Sequence, residues 1–507
     1  MSILDEHTLK QFDGAPCEPP AKTTIIAPMK NLTLLLLLLC ISPSALSDGL
    51  PDLGDVSQAA LTPIQERQIG QQSMMQIRAS KQYLDDPEIN DYLNQLGDKL
   101  AEYSPEPSLD FEFFAVNDYS VNAFALPGGF VGVNAGLILV TQSESELASV
   151  LAHEISHVTQ HHLARMIDAQ RGNGLISMAA IAAAILAART NPQVSAATIA
   201  GVQAGNIQQQ LNYTRAYEEE ADRIGLQLLQ KAGFNTHAMP EFLLRLQNST
   251  RLLDSNAPNY MRDHPITSDR IAEIENRIHD QPYRLVPDSL DFQLVRTKLI
   301  ASQKTAADAI AYFSDALGAQ NFGNPVAQRY GLVISLLRDN QAGRAGREFA
   351  LLRKQADANP SYRNDPMIAT LEGRVLRANG NYAGALAFYR NAVQDFPQHR
   401  ALIYDYADLL LENNQPEPAV KLLNERITRY PRDTTLYDLL ARAYAMQGKT
   451  LEQHQAQAYS YAWQGNLYAA IEQLEMAKRV GGSFYQLSSI ESDLRELRGM
   501  LDTNGKP

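Results

Sequence analysis

The chain has 507 residues, 45% of them hydrophobic and 20% charged, with a formal charge of −13. At roughly 100–200 residues per domain this means two to four domains with ample core, which excludes a collagen-like, wholly disordered or disulfide-stapled chain. The negative balance also argues against a nucleic-acid binder, because no basic surplus exists to neutralise phosphates.

An apolar run from Leu32 to Ile41 follows Met29-Lys30-Asn31. It is about ten residues long, half the roughly 20 that a membrane-spanning helix needs. It reads as the core of a signal peptide at 29–47, with Lys30 as the positive flank and Ser42-Pro43-Ser44 as the helix break. Ala45-Leu46-Ser47 then offers small residues for cleavage before Asp48. Residues 1–28 are expected to be an upstream extension before a true start at Met29. A retained membrane anchor is the alternative. Cleavage removes both cysteines, Cys17 and Cys40. Any metal site in the mature chain must then use histidine and carboxylate rather than thiolate.

The remainder divides into 48–281, which mixes helical stretches with a short β-rich patch, and 290–507, which reads as helix after helix. Pro282, Pro287 and Asp288 mark the join. In the first part, Phe111 to Asn117 alternates as a strand. Val121-Asn122-Ala123-Phe124-Ala125-Leu126 then leads through Pro127-Gly128-Gly129 into a second run, Phe130-Val131-Gly132-Val133. A simple core hairpin accounts for the alternation.

Leu147, Val150, Leu151 and Val158 recur at helical spacing, and Ser143 with Glu146 predicts a capping box at the helix start. This helix carries His153-Glu154-Ile155-Ser156-His157. Residues four apart share a helix face, so His153 and His157 can turn both imidazoles to one ion, with Glu154 beside them to take a proton from water. His161 and His162 read as surface residues. The apolar stretch 175–188 is too short to span a bilayer. It suits a mobile flap or a peripheral membrane contact near the cleft, and a buried helical hairpin equally well.

A catalytic zinc usually takes three protein ligands and leaves one position open. The best third ligand lies in Tyr217-Glu218-Glu219-Glu220-Ala221-Asp222, again in a helical stretch. Glu218 and Asp222 share a face. Glu218 can ligate while Asp222 accepts the second ring N–H of a ligand histidine, and Ala221 allows a close helix approach. Glu219 and Glu220 read as surface.

The second part repeats. Gly373, Leu376, Gly380, Ala385, Tyr389, Ala392 and Pro397 recur 34 residues on as Ala407, Leu410, Asn414, Ala419, Leu423, Arg426 and Pro431. Ala441, Tyr444 and Gly448 continue the register, which then jumps by 17 to Ala458, Tyr461 and Gly465. Small residues where helices cross, Gly or Asn at the corner and Pro at the end resemble the tetratricopeptide repeat. Such stacks expose a groove for a protein partner.

His153-Glu154-x-x-His157 with Glu218-x-x-x-Asp222 resembles the zinc metallopeptidases of the CAAX prenyl protease, HtpX and OMA type. With a signal peptide in front and repeats behind, the chain is most similar to the periplasmic, repeat-bearing members that enhance β-barrel assembly. The resemblance implies a mainly α fold, in which a helical gluzincin-type metallopeptidase domain with a small β-sheet is followed by an α-solenoid of tetratricopeptide repeats. It implies one Zn2+ held by His153, His157 and Glu218, Glu154 as catalytic base, and the segment Asn122-Ala123-Phe124 as a strand beside the cleft. It also singles out His264-Pro265 with Arg270. There two roles are open: His264 and Arg270 stabilise the oxyanion, or His264 takes the fourth zinc position as a latch. The expected function is a periplasmic endopeptidase acting on misassembled outer-membrane β-barrel proteins and their assembly machinery, with no nucleic-acid partner. The alternative is a chaperone or scaffold whose repeats bind clients while the protease site stays mostly latent.

Overall fold

The computed structural model describes residues 61–170, 205–251, 259–319 and 323–504. The expected signal peptide, the upstream extension, both cysteines and the apolar segment 175–188 lie outside the described residues.

Two helices open the described chain, each with a local reason to start where it does. At α1 (Pro63–Ala79), Thr62 Oγ1 accepts the Gln65 N–H and the Gln65 side chain accepts the Thr62 N–H. That is a complete capping box, with Pro63 at a position whose N–H would be unpaired anyway. At α2 (Pro87–Ala101), Asp86 accepts from Glu88 and Ile89 N–H. Ile89, Leu93, Leu96 and Leu100 then bury one face of α2.

The sheet has the order β1-β3-β2. β1 (Glu112–Val116) runs parallel to β3 (Phe130–Asn134), and β2 (Ala123–Leu126) runs antiparallel to it. Gly128 and Gly129 turn the hairpin at φ 73° and 93°, a left-handed region that glycine enters without steric cost. The outer edge of β1 is closed by α2. Asn90 Oδ1 accepts from Ala115 N at 2.8 Å, and Asn94 Oδ1 accepts from Phe113 N at 2.9 Å. β2 is therefore the outer strand on the other side. Alternation along the chain indicated the strands and the turn, but not that β1 joins β3 in parallel.

After α3 (Ala135–Val140) come α4 (Glu144–Thr159), α5 (His162–Gln170), α6 (Gly205–Lys231), α7 (Ala238–Arg251), α8 (Asn259–Asp263) and α9 (Ser268–Ile278). α4 runs through the middle and is buried along nearly its whole length. It packs against α6, where Gly225 makes the approach possible: a Cβ there would lie 3.1 Å from Ala152 C and from His153 N.

From α10 (Leu290–Gln303) and α11 (Ala306–Gly318) onward the chain is a series of paired helices. The pairs α14 (Pro366–Ala378) with α15 (Tyr382–Asp395), α16 (Arg400–Glu412) with α17 (Pro416–Arg429), and α18 (Thr434–Met446) with α19 (Thr450–Trp463) follow the 34-residue register. Gly380, Asn414 and Gly448 turn their corners at φ 75°, 54° and 70°. The phase jump of 17 is one helix long, because α19 ends on Gly465 at φ 80° as α18 ends on Gly448. An earlier pair, α12 (Pro325–Arg338) with α13 (Ala342–Asp357), turns at Asn340 but escapes the register, because the connection to α14 is longer.

The two halves share one hydrophobic core, which runs from α2 and the sheet through α4 and α6 into the first helix pairs and ends at Val375. Charged contacts reinforce the join. Lys298 Nζ on α10 binds Asp86 at 2.6 Å and also the buried Glu88, while Arg400 Nη2 on α16 binds Asp91 at 2.6 Å. The connecting segment is docked too, with Asp288 Oδ1 accepting the Glu144 N–H and Ser289 Oγ donating to Glu144. Among the described residues, no helix is long and apolar enough to cross a membrane.

Candidate metal centre and active site

Ser143 starts α4, its Oγ accepting the Glu146 N–H at 3.3 Å. The expected reciprocal half of the capping box is displaced by one residue. Glu146 Oε2 accepts from Gln142 N at 2.6 Å instead of from Ser143 N, and Arg245 Nη1 binds its other oxygen at 2.6 Å. The helix so anchored carries His153, Glu154 and His157. α6 crosses it with Glu218 and Asp222, and α8 together with the start of α9 supplies His264 and Arg270.

These side chains converge. One ligand-type atom from each of His153, His157, Glu218 and His264 falls within 4.8 Å of all the others. The two Nε2 atoms of His153 and His157 are 3.0 Å apart. They lie 3.3 and 3.4 Å from the Glu218 carboxylate. His264 Nδ1 is 3.0 Å from Glu218 Oε1 and 3.3 Å from His153 Nε2. Three imidazoles and a carboxylate without thiolate are a donor set suited to zinc. Glu154 borders the cluster. Its two oxygens are buried and accept no hydrogen bond, though Oε1 lies 3.3 Å from His264 Nε2. A buried carboxylate without a donor is costly, and a proton or cation in the adjoining cluster would relieve it.

Behind the ligand atoms stands a second layer. Asp222 Oδ1 is 2.9 Å from His153 Nδ1, so the ring can donate there while Nε2 faces inward. Arg270 engages Asp222 with Nε at 2.7 Å and Nη2 at 2.8 Å. Its Nη1 reaches Glu218 Oε2 at 2.9 Å and Pro265 O at 2.8 Å. The guanidinium is thus occupied behind the cluster by two carboxylates, and it is buried. The electrostatics follow from this layout. Burial raises the Glu218 carboxyl, but the adjacent His264 and the hydrogen bonds to all three histidines hold it well below the usual carboxylate range. Burial lowers His153, yet its hydrogen bonds to Asp222 and Glu218 prevail and raise it to about 10 in the metal-free cluster. His157 is pushed down to about 4, chiefly by burial.

Three residues that the sequence places on the surface are buried or half-buried and paired. His162 is buried, with Nδ1 2.8 Å from His157 Nδ1 and Nε2 3.2 Å from Glu220 Oε2. Glu220 is half-buried and also accepts from Arg165 at 2.8 Å. His161 adopts φ 49°, breaking the helix between α4 and α5, and bonds Glu66 and Glu106 at 2.9 Å each. Helix periodicity does not reveal His162, because the left-handed break at His161 ends the pattern before it, and it does not reveal Glu220, whose partners His162 and Arg165 come from another helix. Asn122, expected beside the cleft, donates to Asp263 Oδ2 at 3.0 Å, and Val121 O accepts from Tyr260 N, which ties β2 to α8 next to His264.

Residues 87–278 match the model of peptidase family M48, and residues 376–443 match a tetratricopeptide repeat. The chain is 32% identical over 434 residues to the β-barrel assembly-enhancing protease of Escherichia coli strain K12, covering 85% of this chain and 87% of that one. The β-barrel assembly-enhancing protease of Yersinia pestis is 32% identical over 425 residues, 84% of this chain and 86% of that one. The mitochondrial metalloendopeptidase OMA1 of Schizosaccharomyces pombe is 30% identical over 184 residues, 36% of this chain and 51% of that one. The match over nearly the whole length, on top of a histidine–carboxylate cluster suited to zinc, makes this chain a zinc-dependent metalloendopeptidase of peptidase family M48, in the family of the β-barrel assembly-enhancing proteases.

Proposed function

We propose that the chain is a periplasmic endopeptidase of outer-membrane β-barrel quality control, which cleaves misassembled clients docked on its repeats, and that His264 holds it latent between clients. The observation that carries the reading is the four-residue cluster with the hydrogen-bond-free Glu154 at its border. The names of the long relatives support the client class, and the repeats support recruitment of a protein.

In this reading His153, His157 and Glu218 hold zinc. Zinc bound there supplies Lewis acidity that makes water a nucleophile at neutral pH. Glu154 takes the proton of the attacking water and returns it to the leaving amine. Asp222 receives the His153 Nδ1–H and fixes that ring, while Arg270 neutralises Asp222 and Glu218 from behind. Arg270 is engaged by these two acids, which supports a positioning role for it over oxyanion stabilisation.

A fourth protein ligand leaves no place for water. The approach of His264 Nδ1 to Glu218 and His153 supports the latch over the oxyanion role. It equally favours a second reading, in which the repeats act as a chaperone or scaffold while the site stays closed. Cleavage of an unfolded β-barrel client by three purified proteins separates these readings. Glu154→Gln should keep zinc and lose cleavage, and His264→Ala should cleave faster than the wild type. Loss of turnover in His264→Ala with zinc retained would reject the latch. Client assembly undiminished in Glu154→Gln would favour the scaffold.

A further inference from the structure

His162 belongs to no motif and stands outside the four-residue cluster. α4 ends at Thr159, His161 takes a left-handed φ, and the chain re-enters a helix at His162. In an unbroken helix a residue five positions after His157 would point well away from it, since each residue turns about 100°. The break instead turns the His162 ring back onto His157. The turn is itself pinned, because the His161 ring bridges Glu66 on α1 and Glu106 in the loop after α2.

The proton inventory along this line has one solution. His157 presents Nε2 to Glu218 and His153, so as a ligand it carries its hydrogen on Nδ1. Its Nδ1 lies 2.8 Å from His162 Nδ1. Two nitrogens that close share one hydrogen, and His162 Nδ1 must accept it. The hydrogen of His162 is then on Nε2, 3.2 Å from Glu220 Oε2. Glu220 can accept it as a carboxylate, being held ionised by Arg165 Nη1 at 2.8 Å. The His162 ring has little freedom to leave this line. It is stacked on Tyr217, with centroids 4.6 Å apart and planes 21° from parallel.

We infer that His162 is a positioning residue of the metal centre, fixing the tautomer and ring plane of His157 and linking it to the Glu220 carboxylate. Both histidines of the His-Glu-x-x-His motif then end on an acid of the same helix, α6. His153 reaches Asp222 directly, and His157 reaches Glu220 through His162. The inference rests on the reading of His153, His157 and Glu218 as zinc ligands.

The test is a zinc competition titration against a chromophoric chelator, using the full-length mature chain and no activity measurement. Partners behind a ligand histidine typically contribute about 10–100-fold in metal affinity. His162→Phe keeps the ring and its stacking but has no nitrogen. Its zinc affinity should fall by about 10-fold or more, while the thermal midpoint of the metal-free protein stays close to wild type. His162→Asn returns an acceptor near the Nδ1 position and should recover most of the loss, which a merely space-filling role would not produce. An affinity for His162→Phe within about threefold of wild type, or no recovery in His162→Asn, overturns the inference. Should His162→Phe not fold, Glu220→Leu, which offers no acceptor to the His162 Nε2–H, reads the same line from its outer end, and unchanged zinc affinity there overturns it equally. Wild-type protein that binds no zinc would remove the ligand assignment, and this inference with it. Wild-type binding with indifferent variants would remove this inference alone.

Discussion

Arg270→Gln should destabilise the metal-free protein far more than the zinc-loaded one. The wild-type guanidinium places one buried positive charge on two buried carboxylates, Asp222 at 2.7 and 2.8 Å and Glu218 at 2.9 Å. Glutamine keeps some hydrogen bonding but no charge. Breaking a buried ion pair by removing one partner costs about 3–5 kcal/mol, because the other charge is left buried. His153, lifted to about 10 in the metal-free cluster despite burial, offsets part of that loss. With zinc bound, a dication at the cluster compensates Glu218 directly and Asp222 through His153. What remains is the loss of hydrogen bonds to charged groups, about 1.5–3 kcal/mol. For a cooperative unit of about 200 residues at about 2–4 °C per kcal/mol, the metal-free midpoint should drop by about 6–20 °C. The zinc-loaded midpoint should drop by about half as much or less. Linkage restates the point: the folded variant should bind zinc more tightly than wild type, a difference of about 2 kcal/mol being about 30-fold. Thermal unfolding followed by circular dichroism, in chelator and in excess zinc, measures both. Equal losses in the two states, or a larger loss with zinc, would refute the electrostatic reasoning and leave Arg270 as a packing residue.

The pinned turn gives a pH signature. Hydrogen bonds to Glu106 and Glu66 outweigh burial and raise His161 to about 10, so its stabilisation is fully present below about 6.5 and lost as pH rises through about 10. The stability gap between wild type and His161→Asn, from urea unfolding, should shrink across that window by about 1–2 kcal/mol, solvent at Glu106 screening the rest. A constant gap from pH 6.5 to 10 would count against it. Lys298→Met should cost about 3–5 kcal/mol by leaving the fully buried Glu88 side chain, at the join between the halves, with only the long contact to His399 Nε2 at 3.4 Å; a urea midpoint equal to wild type would show the pair to be dispensable. Gly225→Val should drive α6 off α4 at Ala152 and His153, and a displacement approaching 1 Å at the site costs on the order of 100-fold in kcat/KM. Undiminished cleavage by this variant would mean that the helix spacing does not control the cluster.

Local periodicity determined a good deal of this protein before any fold was known. His153 and His157 share a face because they are four residues apart on one helix, and Glu218 and Asp222 do so for the same reason. The helix pairs from α14 onward are legible because a 34-residue repeat puts the same small, large and turning residues at the same places. Patterns of this kind need only the geometry of one element. Tertiary packing decided everything that joins elements. The parallel pairing of β1 with β3 joins segments that are not neighbours in the chain, and α2 covers the other edge of β1 through Asn90 and Asn94. The extent of the helix pairs upstream of α14, and the sharing of one core between the two halves, depend on contacts between residues far apart in the chain. The sequence does not separate His162 and Glu220 from surface residues, because a solvated polar residue and a paired one that is buried or half-buried look alike in a linear pattern. Only the left-handed break at His161, held by acids from two distant segments, turns His162 inward. The physical reason is general: a periodic face reports which residues an element presents, and burial and partners are properties of what that face meets.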